Sequence, residues 1–184
     1  TWIMLATALL AATVALILAR YHRNISARYL ALLELCVAEW AFAYVFETSS
    51  LTGSLRLFWS QIAYVGTTAA PVFFLLFAAA YSQKTAVLKP YSKVLLFIVP
   101  AVTLLLAFTN NLHHLVWSAI TIEPHTLIAR YSHGPWFWVF VCYSYGLLLT
   151  ALALLITSRR QYGGFYNRRT TVLLVGAGLP FVGN

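Results

Sequence analysis

The polar positions in this chain are few and clustered, and between them run apolar stretches of about 18 to 25 residues, the length a helix needs to cross a hydrocarbon core about 30 Å thick. Read for period and breakers, the pattern predicts helices over 2–19, 29–46, 57–81, 94–108 and 136–157, and a sixth from 171 onward. The sixth has about 14 residues at 1.5 Å each, roughly 21 Å, too short to cross. The chain opens on Thr1 and stops at Asn184 inside that helix, so it is expected to be a fragment of something longer. One stretch breaks the pattern differently. Residues 109–135 form the longest polar connection, in which WSAITI and LIARYS alternate around a turn-like EPHT, the signature of a short β-hairpin. The fold class expected is all-α, a polytopic membrane helical bundle forming a single domain over 1–184, with that hairpin as a possible lid.

Composition agrees, with 61% hydrophobic and 9% charged residues, which excludes an ordinary soluble domain. Ten of the twelve Lys and Arg lie in alternate connections: Arg20, Arg23 and Arg28; Lys84, Lys89 and Lys93; and Arg159, Arg160, Arg168 and Arg169. The other side has only Arg56 and Arg130. By the positive-inside rule the amino terminus and residues 109–135 are expected outside a plasma membrane. A net charge of +8 so distributed points to anionic lipid headgroups and away from nucleic acid. Helix 1 has neither a charged leader nor a small-residue cleavage site, so it reads as a span.

The sequence TNNLHHLVW, then HGPWFWVFVCYSYGLLL, AEWAFAYVFE, YVGTTAAPVFFLLFAAAYS and LPFVGN together resemble the amino-terminal seven-transmembrane region of bacterial and archaeal sensor histidine kinases. The resemblance runs in order over nearly the whole chain. It implies a sensory input domain with an outside amino terminus, a seventh helix beyond the visible end, a cytoplasmic signalling output, and a homodimer formed through the parent kinase. The kinase motifs themselves are absent from this sequence.

Two groups of residues are candidates for the signalling chemistry. The first is a ligand or lid set, Asn110, His113, His114, Trp117 and Tyr131, on the external segment. Against it stands a structural reading: Trp117, Trp136, Trp138 and Tyr131 as an interfacial aromatic belt, and Asn110, His113 and His114 as partners for the open carbonyls at the end of helix 4. The imidazoles of His113, His114, His125 and His133 with Glu123 lack the spacing of a zinc site, so no metal is expected. The second set is a switch of Glu39, Thr67 and Pro71. Glu39 lies about ten residues, roughly 15 Å, from the inner end of helix 2, at a depth where no Lys or Arg occurs, and an ionisable residue there is a functional candidate. A neutral carboxyl can donate a hydrogen bond, and Pro71 deprives the carbonyl of Thr67 of its helical donor. Tyr64 or Thr68 are alternative partners.

Gly66 and Ala70 predict a close helix contact, and Pro100 frees the carbonyl of Leu96 in helix 4 as Pro71 does in helix 3. Glu34, nearer the inner end, reads as a snorkelling or paired residue, and Cys36 and Cys142 as packing residues. No catalytic constellation and no cofactor site is expected, since the chain has no Asp, no G-x-S-x-G and no H-E-x-x-H. The expected function is a sensor of a small or membrane-soluble ligand, or of a bilayer property, that passes the stimulus to a cytoplasmic output. The competing readings are a transporter or channel, for which no inverted repeat is found, and the same sensor fused to a different signalling output.

Overall fold

The computed structural model describes residues 2–21, 23–84, 89–122 and 129–161, so the expected sixth helix, Glu123 and His125 lie outside the described residues. Within them, α1 (Trp2–Ala19), α2 (Ile25–Ser49), α3 (Gly53–Tyr81), the pair α4 (Pro90–Leu96) and α5 (Ile98–Phe108), and α7 (Pro135–Gln161) supply five segments long and apolar enough to span a membrane. A single-turn α6 (Asn110–His113) and the strands β1 (Trp117–Ile122) and β2 (Ala129–His133) lie between α5 and α7.

In a bilayer, burying apolar side chains against one another gains little over lipid, so small residues and hydrogen bonds decide which helices meet. The α1 stripe of Ala8, Ala11 and Ala15 is buried, and α1 packs chiefly on α2. α2 in turn lies along α3, which also packs on α5 and α7 and is the most enclosed helix. At Gly66 the approach is closest: a Cβ there would overlap the carbonyl of Cys36 and the carboxyl of Glu39. The predicted small-residue contact is thus present, with α2 as the partner.

α2 and α3 begin four residues earlier than the pattern predicts, and α2 also ends three residues later. Asn24 explains one end, since its side chain accepts from the backbone N–H of Ser26 and Ala27 at 3.0 and 3.3 Å. At the other, polar ETS continues the helix into the headgroup zone, which carries Glu47 into α2.

The fourth span differs more. One kinked helix is predicted, but the helix breaks at Phe97, between α4 and α5. Pro100 cannot donate to Leu96, and the freed carbonyl accepts instead from the hydroxyl of Tyr143 on α7 at 2.5 Å.

Two packed clusters lie along α3. One gathers Val72, Leu75, Leu76 and Ala78 with Leu147, Ala151 and Leu155 of α7. The other, at the hairpin end, gathers Ala107, Val116 and Trp117, with Tyr64, Tyr131 and Trp136 against them. The hairpin is antiparallel, pairing Ile120 with Tyr131 and Thr121 with Arg130, with an irregularity at Ser118 between Trp117 and Ala119.

Candidate functional site beneath the hairpin

The sequence between α5 and the hairpin forms a compact knot around Asn110. This side chain is 2% exposed. Its Oδ1 accepts from the N–H of Val116 and of Trp117, each at 3.0 Å, and its Nδ2 donates to the carbonyl of Trp117 at 2.9 Å. An amide side chain offers the same donor and acceptor as a peptide group, so Asn110 pairs with β1 as a short strand would. His114 takes a left-handed backbone, φ 54° and ψ 29°, and ends α6 there. The base of the hairpin closes where Gly134 meets the Leu115 backbone with no room for a Cβ, its N–H donating to Val116 at 2.8 Å.

His113 folds back on the same knot. Its Nδ1 accepts from the Leu115 N–H at 3.1 Å and its Nε2 lies 3.1 Å from the Thr109 hydroxyl, whose own proton goes to Leu105. The geometry selects the tautomer that carries its proton on Nε2.

The hairpin's far side is tied to α2 and α3. Tyr131 donates to Glu47 Oε1 at 2.8 Å and lies 2.6 Å from the hydroxyl of Ser60. Since the Tyr131 proton is committed to Glu47, Ser60 donates to Tyr131. Burial pushes the Tyr131 phenol up to about 12; the Ser60 hydrogen bond and the Arg56 charge oppose this, while Glu47 adds to it.

Beneath the hairpin, between α2, α3 and α7, is a cavity of about 400 Å³. Its walls are rich in aromatic rings, including Trp40, Tyr64, Trp117 and Phe140, with Glu47, Ser60, Thr67 and Ser144 as polar points. His133 reaches it while stacked on Phe137 at 3.8 Å.

Of the five candidate lid residues, Trp117 and Tyr131 reach the cavity. Asn110 is buried behind it, His113 turns back on its own loop, and His114 is exposed. Trp117 does not sit in an aromatic belt: it is 3% exposed and packs edge-on against Tyr64 at 5.1 Å. Trp136 also turns inward, its indole N–H donating to Thr103 at 3.0 Å, while Trp138 is exposed.

The three switch candidates are not brought together. Thr67 and Pro71 line the cavity, whereas Glu39 lies against Gly66 and its Oε2 accepts from the Gly66 N–H at 2.7 Å. The expected donation to the Thr67 carbonyl is replaced because the missing side chain at position 66 exposes a backbone N–H at that contact. The Thr68 hydroxyl is turned to Tyr64 O at 2.7 Å.

Sequence reading missed Glu47, Ser60 and Ser144, and weighed His133 only as a metal ligand. A signal existed: Trp40 and Glu47, Ser60 and Thr67, and Phe137 and Ser144 are each seven residues apart, so each pair shares a helix face. Among the described residues no three His, Cys, Asp or Glu side chains gather as a metal site would require.

No curated protein and no solved structure matches this chain. The family model describing the N-terminal 7TM region of histidine kinase matches residues 3–184, which takes in the helices, the Asn110 knot, the hairpin and the cavity beneath it. The chain therefore belongs to the N-terminal 7TM region family of histidine kinases.

Proposed function

We propose that this domain is the sensory input of a two-component histidine kinase, with the hairpin outside the cell and the stimulus read in the cavity beneath it. The orientation is supported by charge: the ends of the spans opposite the hairpin carry Arg20, Arg23, Arg28, Lys84, Lys89 and Lys93, and the hairpin end carries Arg56 and Arg130. The observation that carries the reading is the join between hairpin and bundle. Tyr131 is bonded at once to α2 through Glu47 and to α3 through Ser60, so a change in the cavity is felt by both helices.

α3 then links the two packed clusters, and α7 shares the one distant from the hairpin. A small displacement of the hairpin side is thereby passed toward the cytoplasmic end, where the kinase of the parent chain follows. Signalling of this kind requires two states of comparable free energy, and the parent kinase would sustain it as a homodimer.

The test is autophosphorylation of the parent chain carrying Tyr131→Phe or Trp117→Ala. Each variant is expected to insert normally and to shift basal output roughly fivefold, the effect of about 1 kcal/mol on a two-state balance. Parental output from both, at equal membrane abundance, would leave the hairpin a structural connection only.

A further inference from the structure

At the hairpin end of the cavity Glu47, Ser60 and Tyr131 are engaged with one another, Tyr131 being held by the other two. Deeper in, the Thr67 hydroxyl turns back onto Ala63 O at 2.8 Å. Ser144 is different. It lies on the cavity wall, is 8% exposed, and its hydroxyl has no partner among the described residues.

That is unusual for a hydroxyl on an apolar helix, which ordinarily bonds the carbonyl one turn earlier. Thr68, Thr103 and, on the same helix as Ser144, Thr150 all do so, at 2.7 Å. A sheltered hydroxyl left unpaired costs free energy that a ligand able to pair with it would recover.

Size and shape narrow the occupant. Along α3 the cavity runs from Ser60 to Pro71, about 16 Å at 1.5 Å per residue. A drug-sized molecule fits the space. The walls favour flat rings, which stack on Trp and Phe faces and edges, and a charged molecule would give up its hydration against a lining that is mostly apolar.

We infer that the cavity is a binding site for an uncharged, ring-bearing lipophile with one hydrogen-bonding group, which it places on the Ser144 hydroxyl. The inference rests on the sensory reading above only for what binding accomplishes; the site itself rests on geometry. The ligand gives or accepts one hydrogen bond at Ser144, its ring meets Phe140 and Trp117, and its apolar remainder follows α3.

The probe is para-hexylphenol carrying a photoactivatable diazirine in its tail, applied to the chain in lipid nanodiscs, with labelled residues mapped by mass spectrometry. Label is expected on Pro71, Phe140 and Val141, to be suppressed by excess unmodified para-hexylphenol, and to be unaffected by the charged para-hexylbenzoate. Ser144→Ala is expected to raise the competing concentration of para-hexylphenol roughly threefold to tenfold while leaving that of hexylbenzene unchanged. Each variant is compared in the same membrane, so partitioning into lipid cancels. Unsaturable label on lipid-facing residues such as Leu9, Leu105 and Leu149, or no cavity label because another part of the chain fills the space, would overturn the site. An unchanged response in Ser144→Ala would overturn the role given to its hydroxyl. Saturable cavity label in a parent kinase whose autophosphorylation ignores the probe upholds the site and removes the sensory reading.

Discussion

Tyr131 shows how much one side chain can hold when its hydroxyl is enclosed. Its phenol is pushed from the usual 10 up to about 12, by burial first and by Glu47 in addition, against the Ser60 hydrogen bond and the Arg56 charge. The native protein therefore keeps this proton to higher pH than the unfolded chain does. The contribution to stability is whole below pH 10 and fades as pH rises from 10 through about 12. Subtracting the ultraviolet phenolate titration of Tyr131→Phe from that of the parent is expected to leave a single late-titrating phenol. Amide exchange in β1 and β2 should rise over the same interval. A difference curve centred at 10, where an exposed tyrosine titrates, would mean the enclosure is wrong. Neither the proton nor its partners can be read from the sequence, because Glu47 lies 84 residues away from Tyr131 and beyond the point where the polar ETSS run suggests that helix 2 has ended.

Between elements, the clearest repair is at the broken fourth span. Pro100 removes the donor for the Leu96 carbonyl, and Tyr143 of α7 supplies another. Losing the hydroxyl in Tyr143→Phe is expected to cost about 0.6 kcal/mol, the average for hydrogen bonds between membrane helices, with about 1.7 as the ceiling. Pro100→Ala restores a backbone N–H, so in that background the same substitution should cost less. A double-mutant cycle on reversible unfolding in detergent measures the difference, and equal costs in both backgrounds would show that the hydroxyl does not serve this carbonyl. The freed carbonyl is legible from Pro100 alone. Its partner is not, since nothing in the local sequence says which of the two tyrosines on α7 will face α4. The ends of α1 and of β1 coincide with the predicted ones because both are written by uninterrupted local patterns. The partner of Glu39 is not legible, because it depends on how closely α2 and α3 approach, a distance set at Gly66 and visible only once both helices are packed.

For the whole molecule, the orientation inferred from charge has a direct check. Single cysteines at Ser54 and Leu112, in a background lacking Cys36 and Cys142, are expected to react in whole cells with a thiol reagent that cannot cross membranes. Cysteines at Gln83 and Tyr91 should react only after permeabilisation. The inverted pattern would reverse the orientation and place the cavity at the cytoplasmic end. The same architecture also limits how the hairpin can move. It is fastened near one end by the three Asn110 bonds to the start of β1 and along its second strand by Tyr131 to α2 and α3. A flap needs a free edge and a hinge. This hairpin has attachments on both strands, and mechanically it is a crossbar bolted to neighbouring posts. Its easy motion is a tilt that carries the posts with it, so the cavity changes volume by helices leaning together or apart and not by a door swinging open.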